Sequence, residues 1–390
     1  MIIKKVLLVV IDGLGIGSYE NDIYNSLFNA ENKYRQAKIP TLEHFGLNNL
    51  IKRKNDCKRL KKHTACIGRT KQQSIFCESF SAHWEMTGIV ATSGHSFKNG
   101  IPHKVINKLR TNKINLIGNL DCHHNLSNIP KDITELHIHS GNPIVVTMPE
   151  EIPITTLGLV SYEEIVSYEK MVSIASEIEK ILSPADNIGR IVIKTFNRID
   201  KTFKHLVKRT DIPIFKPPTP NLLDAIIISG RTTMAAGKIS EMFNGYGFTR
   251  SHLSEDNPTI FRDTLTMFQE TISGLIWTNF NSLDRPYGHD MDVKRWIKSL
   301  ELFDNYLNEI INKITCEDLL IVTGDHGCDP VLSGFHTKEW NPLLIYNPNL
   351  IPVHLSDRSH SDIAATISDC FSLDFKLKQG KSFYNLLRCN

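Results

Sequence analysis

The chain has 390 residues, 41% hydrophobic and 22% charged, with 45 Lys and Arg against 42 Asp and Glu for a formal charge of +3. That length can bury a large core over two or three domains, and so balanced a charge singles out neither nucleic acid nor a membrane surface as a partner. No apolar run approaches the roughly 20 residues of a membrane-spanning helix, and eight cysteines without a Cys-x-x-Cys pair read as the reduced thiols of a cytosolic protein.

In chain order, Lys4-Lys5 followed by Val6–Ile11 imitates a short signal peptide, but the run stops at Asp12 with no small-residue cleavage site. A continuous β-branched run of this kind predicts a strand covered on both faces. Gly13, Gly15 and Gly17 do not fit the G-x-G-x-x-G dinucleotide fingerprint, so the informative residue is Asp12, a carboxylate at a strand end. The stretch Ile51–Lys71 is dense in Lys and Arg but lacks interleaved aromatics, which predicts a solvated basic surface rather than a nucleic-acid platform.

In Glu78-Ser-Phe-Ser-Ala-His-Trp-Glu-Met-Thr-Gly88, Ser79 and Ser81 read as a helix N-cap signal with Glu85 in the first turns. A hydroxyl at such a helix start is well placed to carry phosphate. Residues 99–216 read as an inserted α+β domain, with strand-like Pro143–Thr147, a helical pattern over Ser161–Ile181, strand-like Gly189–Ile193 and a Pro-rich exit at Lys216–Pro220. Asp121-Cys-His-His124 inside it reads as a surface loop, because consecutive residues cannot all face one ion without unusual backbone. A third apolar strand, Gly274–Phe280, leads into Asp284 and His289, which Pro286 and Gly288 can bring together in a turn. An amphipathic helix is predicted over Asp292–Ile314, then a strand at Leu319–Thr323. That strand ends in Gly324-Asp-His-Gly327, where two glycines let Asp325 and His326 face one point.

The segment around Ser79 resembles the nucleophile motif of phosphopentomutases, Lys-Asp-Thr-x-Thr-Gly-His-Trp-Glu, in which a threonine stands four residues before the histidine. Counting back from His83 places Ser79 there. Met234-Ala-Ala-Gly-Lys-Ile239 resembles the Gly-Lys-Ile segment of that family, Asp284 to His289 its Asp-x-x-Tyr-Gly-His, and His336 falls where the family has its last metal-binding histidine. The family carries a cap domain followed by a Pro-Pro-x-Pro return. The resemblance spans nearly the full chain and implies an alkaline-phosphatase-like three-layer α/β/α core at 1–98 and 217–390, with an inserted smaller α+β cap domain at 99–216.

Asp12, Asp284, His289, Asp325, His326 and His336 make three carboxylates and three imidazoles. Such a set implies two divalent ions, and the resemblance puts Mn²⁺ foremost; ions about 3.5–4 Å apart can clamp an in-line phosphoryl displacement. By resemblance Ser79 is a phosphoryl carrier that interconverts ribose 1-phosphate and ribose 5-phosphate, or their 2-deoxy forms. Lys194, Arg209, Lys238 and Glu150 then hold the sugar phosphate. Ser79 replaces the family threonine, Glu78 an aspartate, Lys194 an arginine, and Thr147-Met-Pro-Glu150 stands for Thr-Ser-Ala-Asp. Because these departures lie on the substrate side, a phosphatase or a phosphomutase with another substrate stays open beside the pentomutase. A non-catalytic relative that keeps metal for folding is the third reading. The expected partner is a small sugar phosphate, with no nucleic acid and no membrane; the sequence says nothing of oligomeric state.

Overall fold

The computed structural model describes residues 2–17, 23–51, 62–92, 100–121, 129–147, 155–199 and 202–387. The chain divides into two compact units, Met1–Thr92 with Pro217–Asn390, and Ser93–Lys216. Its strands are, in order, β1 Lys5–Ile11 and β2 Cys66–Lys71 in the first unit, then β3 Ile117–Asp121, β4 Ile144–Thr147, β5 Thr155–Tyr162, β6 Ile188–Ile199 and β7 Thr202–Pro213 in the second. The first unit resumes with β8 Thr232–Ala236, β9 Arg250–His252, β10 Gly274–Phe280, β11 Asp318–Thr323, β12 Gly327–Cys328, β13 His336–Thr337, β14 Asn341–Tyr346 and β15 Arg358–Ser359.

The first unit is built on an eight-stranded sheet in the order β15-β2-β14-β11-β1-β10-β8-β9. β1 lies at its centre, parallel to β10 on one side and β11 on the other, with Ile11 level with Phe280 and Val10 level with Thr323. Alternate β1 side chains Leu7, Val9 and Ile11 enter a core with Trp296, Ile297, Leu300, Phe303, Leu307 and Ile310 of the helix Val293–Ile311. Trp296, Leu300, Phe303, Leu307 and Ile310 recur every three or four residues, with Ile297 beside them, so a single stripe faces the sheet. Each large side chain buried there stabilises the fold by about 1.5–3 kcal/mol. Asp292 caps this helix by accepting from the Arg295 amide. The helix stops at Ile311, short of the expected Ile314, although Ile314 still packs in the same core. The opposite face of β1, Val6, Leu8 and Val10, is also fully buried. The helix His360–Cys370 packs against both Ser79–Glu85 and Leu222–Ile228, and His83 of Ser79–Glu85 stacks on Trp277 of β10, on this face. The result is the α/β/α layering expected from the sequence.

Two local expectations change. The basic stretch before Lys71 ends not in solvent but in β2, where Cys66–Thr70 are buried beside β14. Arg69 is only 5% exposed, and its Nε and Nη2 donate to the two oxygens of the Asp357 carboxylate, which offsets the cost of burying a lone charge. Lys52, Arg53, Lys54, Lys58, Arg59 and Lys61 lie outside the described residues. The other change is in the second unit. Ser161 and Tyr162 complete β5, and the helix begins at Tyr168, where the Ser167 hydroxyl accepts from the Lys170 amide.

That second unit has a five-stranded mixed sheet, β3-β4-β5-β6-β7, in which β6 is parallel to β5 and antiparallel to β7. Helices His103–Thr111 and Tyr168–Ile181 cover the face carrying Ile191 and Ile193, while Ile129 and Ile133 pack with Ile144, Val146 and Val160 on the other. Cys122, His123 and His124 lie outside the described residues, as does Glu150.

Candidate metal centre and nucleophile

Because β10, β1 and β11 are adjacent, parallel and level at their ends, the segments leaving them emerge at one edge of the sheet. Asp12 is the first residue beyond β1, and its amide donates to the Phe280 carbonyl. One of its oxygens, Oδ2, accepts from Asn279 Nδ2 at 2.8 Å. From the next loop, Asp325 Oδ1 accepts from the amides of Gly13 and His326 at 3.1 and 2.9 Å, which ties the ends of β1 and β11 together. Asp284 sits in the turn after β10, where the Gly288 and His289 amides both donate back to its carbonyl, so the turn predicted from Pro286 and Gly288 forms.

The imidazoles are oriented from behind. His289 Nδ1 donates to the Gly334 carbonyl at 2.7 Å and His326 Nδ1 to the Gly327 carbonyl at 3.1 Å. A carbonyl can only accept, so in each ring Nε2 carries the lone pair, the tautomer a metal ligand requires. His336 Nε2 and His289 Nε2 lie 3.2 and 3.3 Å from Asp284 Oδ1, and His326 Nε2 lies 3.3 Å from Asp325 Oδ2 and 3.7 Å from Asp12 Oδ1. All six sequence-selected ligands therefore gather at this edge. Donor atoms of Asp12, Asp325 and His326 lie within 4.8 Å of one another, as do those of Asp284, His326 and His336.

Asp12 Oδ1, Asp284 Oδ1, Asp325 Oδ2 and His336 Nε2 are buried with no hydrogen-bond partner. Leaving such groups unpaired costs about 1–3 kcal/mol each, and four of them at one place, all hard oxygen or imidazole nitrogen, form a donor set that suits divalent ions. Their protonation fits the same picture. Burial, then the charge of Asp325, drives the Asp12 carboxyl well above the usual range. In Asp284 burial is outweighed by His336 and Lys238, which hold the carboxyl well below it. Burial lowers His326 to about 4, whereas for His336 contact with Asp284 overcomes burial and raises the imidazole to about 9.

Ser79 is 8% exposed, and its Oγ faces this cluster, 3.1 Å from His326 Nε2. Its helix is capped by Glu78, not by Ser79 or Ser81, and Ser79 is the first helical residue. Glu78 accepts from the Phe80 and Ser81 amides, so those N–H groups are taken and the side chains around Ser79 supply the positive charge. Chief among them is Lys238, whose ammonium donates to Ser79 Oγ at 2.9 Å and lies 2.5 Å from Asp12 Oδ2 and 3.9 Å from Asp284 Oδ2. Burial opposes its charge, but Asp12, Asp284 and Asp325 together raise it above the ordinary lysine value. Gly237 makes the approach possible: at φ +85° its missing Cβ would meet the Asn279 carbonyl at 2.6 Å.

Several supporting residues were not singled out from the sequence. Asn279 bridges Asp12 to His83 Nε2, and its signal was a polar residue inside the buried run Gly274–Phe280. Glu85 accepts from the Gln73 and Ser74 amides. Glu339 accepts from the Gly17 amide, the Ser26 amide and hydroxyl, and Thr337, and so joins the loop after β1 to the strand carrying His336. Long-range partners of this kind leave no local pattern. In the second unit, Lys194 and Arg209 face each other directly across β6 and β7, Lys194 buried and Arg209 half-buried. A cavity of about 650 Å³ bounded by Pro40, His44, Phe45, Lys62 and Tyr346 holds none of the candidate residues; donor chemistry rather than cavity size locates the site.

Comparison with known proteins agrees with this geometry. Residues 4–375 match the model of the metalloenzyme superfamily. A phosphopentomutase of Caldanaerobacter subterraneus subsp. tengcongensis is 30% identical over 98% of this chain and 97% of its own length. One of Clostridium novyi is 30% identical over 98% of each. Among solved structures, Leishmania mexicana phosphoglycerate mutase, at 13% identity, superposes with a TM-score of 0.50 over 99% of this chain and 98% of its own, a likeness of fold alone. Sheet edge, donor set and full-length similarity lead to one conclusion: the chain belongs to the metalloenzyme superfamily and, within it, to the phosphopentomutase family of isomerases.

Proposed function

We propose that Ser79 is the phosphoryl carrier of this enzyme, and that it interconverts ribose 1-phosphate and ribose 5-phosphate, or the 2-deoxy sugars, in the cytoplasm. Asp12, Asp325 and His326 would hold one divalent ion and Asp284, His289 and His336 a second, manganese foremost. Bound there, such ions supply Lewis-acid polarisation of phosphoryl oxygens and favour the serine alkoxide.

The observation that carries the reading is the setting of Ser79 Oγ, the only hydroxyl described beside both a lysine ammonium at 2.9 Å and a cluster imidazole at 3.1 Å. A serine hydroxyl is a weak nucleophile at neutral pH and needs such activation. In the resting form Ser79 Oγ is bonded to phosphorus. The sugar 5-hydroxyl attacks that phosphorus, the Oγ–P bond breaks, and the hydroxyl proton is released as ribose 1,5-bisphosphate forms. Ser79 Oγ then attacks the C1 phosphate, the bond from phosphorus to the C1 oxygen breaks, that oxygen takes up a proton in place of the one the 5-hydroxyl released, and ribose 5-phosphate leaves with phospho-Ser79 restored. Throughout, the Lys238 ammonium stays beside Oγ to offset negative charge developing on it. Lys194 and Arg209 would grip the phosphate that is not reacting, Lys194 as a point charge where an arginine would form a fork. Glu150 would contact the sugar.

The test is to incubate the manganese-loaded protein with ribose 1-phosphate and follow products. Ribose 5-phosphate without free phosphate is expected, together with one added phosphoryl group mapped to Ser79 by peptide mass. Ser79→Ala should keep its metal and circular dichroism yet lose at least about a thousandfold in isomerisation, while Ser79→Thr keeps activity. Free phosphate as the main product, or phosphate on another residue, would overturn the reading.

A further inference from the structure

His83, Trp84 and Glu85 are buried at the end of the helix Ser79–Glu85, and none of them takes part in the reaction proposed for Ser79. Successive helical residues point about 100° apart, so the three side chains leave one turn in three directions. Each meets a different element. His83 Nδ1 donates to the Ser79 carbonyl at 2.8 Å and its Nε2 stands 3.1 Å from Asn279 Oδ1 of β10, while Asn279 Nδ2 donates to Asp12. Trp84 Nε1 donates to the Met242 carbonyl at 2.9 Å. Met242 belongs to the short 3₁₀ helix Lys238–Phe243, whose first residue is the lysine beside Ser79 Oγ. Glu85 accepts from the Gln73 and Ser74 amides, and the Ser74 carbonyl accepts at 2.7 Å from Lys338 Nζ, one residue past the strand β13 that begins with His336. The anchors of the nucleophile helix therefore lead to Asp12, to Lys238 and to the strand of His336, three sides of the cluster that Ser79 Oγ faces.

We infer that His83, Trp84 and Glu85 are positioning residues that hold Ser79 Oγ in register with that cluster, Trp84 setting its distance from the Lys238 ammonium. The inference rests on the reading of Ser79 as the phosphoryl carrier and adds what keeps the carrier in place. A helix of seven residues is marginal by itself and takes its position from tertiary contacts. Three anchors that are not in line fix both the place and the tilt of a rigid body, whereas a single one leaves it free to swing. In-line transfer is sensitive to such motion, since a displacement of about 1 Å can cost about a hundredfold in rate. The competing account makes the three sets of bonds contributions to stability and nothing more.

Trp84→Phe separates the two accounts, because it keeps an aromatic ring in the core and removes the indole N–H. In the full-length, manganese-loaded protein it should lower kcat on ribose 1-phosphate by about 10–100-fold with KM changed by no more than about twofold. Metal content by elemental analysis should equal that of wild type. Intact-protein mass should show Ser79 still taking a phosphoryl group from a sugar bisphosphate, more slowly than in wild type. In the Lys238→Ala protein, Trp84→Phe should lower kcat by only about twofold further, because the lysine it positions is gone. Losses that multiply in full, or a lowered Tm with wild-type kcat, overturn the positioning role. Should the Trp84→Phe chain not fold, Glu85→Gln reads a second anchor: kcat down about tenfold at unchanged KM and metal content supports the role, and wild-type kcat overturns it. Ser79→Ala tells the two failures apart. If it is inactive while Trp84→Phe has wild-type kcat, the positioning role alone falls; if it still isomerises ribose 1-phosphate, the reading of Ser79 falls and this inference with it.

Discussion

The edge of the core sheet and the strand pair β6–β7 of the second unit place their candidate side chains in different ways. At the core edge the groups are short side chains leaving the end of a packed strand or the turn beyond it, the carboxylates and His326 buried and His289 and His336 partly exposed, and two of the imidazoles are tied to backbone from behind, His289 to Gly334 and His326 to Gly327. In the second unit, Lys194 and Arg209 are long, flexible cations side by side in mid-strand. The first arrangement fixes atoms tightly enough to favour metal, at the expense of crowding like charges. The second supplies charge with less geometric definition, which suits a phosphate that must arrive and leave. In the proposed roles, rigidity would belong with the metal donors and adaptability with the grip on substrate.

Mutations can break that contrast, beginning with the largest effect. Asp12→Asn should lower metal affinity by about 10–100-fold or more, while the chelated protein loses no stability, since Asp12 is held against burial and the charge of Asp325. Metal content by elemental analysis and Tm with and without chelator check both halves. Lys194→Ala and Arg209→Ala should leave metal content unchanged and lower kcat/KM by about 10–100-fold, mainly through KM. Lys194→Arg should retain most activity; equal losses from Lys194→Arg and Lys194→Ala would show that shape rather than charge is read there.

A smaller effect lies in pH. In the chelated protein His326 is depressed to about 4, so between roughly 6.5 and 4 the unfolded chain binds a proton the folded one refuses, and stability falls as pH falls. His336 has the opposite sign. Raised to about 9, it holds a proton the unfolded chain lacks above roughly 6.5, so its contribution is full below that value and lost as pH rises through 9. A divalent ion must displace that proton, so apparent metal affinity should climb with pH up to about 9, as read by titration calorimetry; an affinity flat from pH 7 to 9 would remove His336 from the donor set. The smallest effect is remote from the site: Asp292→Ala removes the cap of the helix behind β1 and should cost about 1 kcal/mol in denaturant unfolding with metal binding unchanged.

Much of the frame was legible in the chain because its signals are local. Continuous apolar runs announced β1, β10 and β11, each ending near an acidic residue, and strands of one parallel sheet deliver such residues to the same edge. Ser79 and His336 needed the family resemblance, since a hydroxyl near a helix start or a histidine near a glycine is common and carries no chemistry alone. The local reading failed where pairing outweighed composition. Arg69 is charged yet buried, because Asp357 meets it from 288 residues away. Ser161 and Tyr162 fit a helical period yet sit in a strand, because β4 and β6 flank them.

Tertiary structure alone decided which polar atoms face each other. No periodicity in the chain reveals that Asn279 joins Asp12 to His83, that Glu339 holds the loop after β1, that Lys238 lies beside Ser79 Oγ, or that Cys328 stands opposite His336. The sequence by itself determined the strand ends and the chemical type of each donor, since both depend on a few neighbouring residues. The distances among donors depend on the register of separate strands and on loops hundreds of residues apart, and only the folded chain sets those.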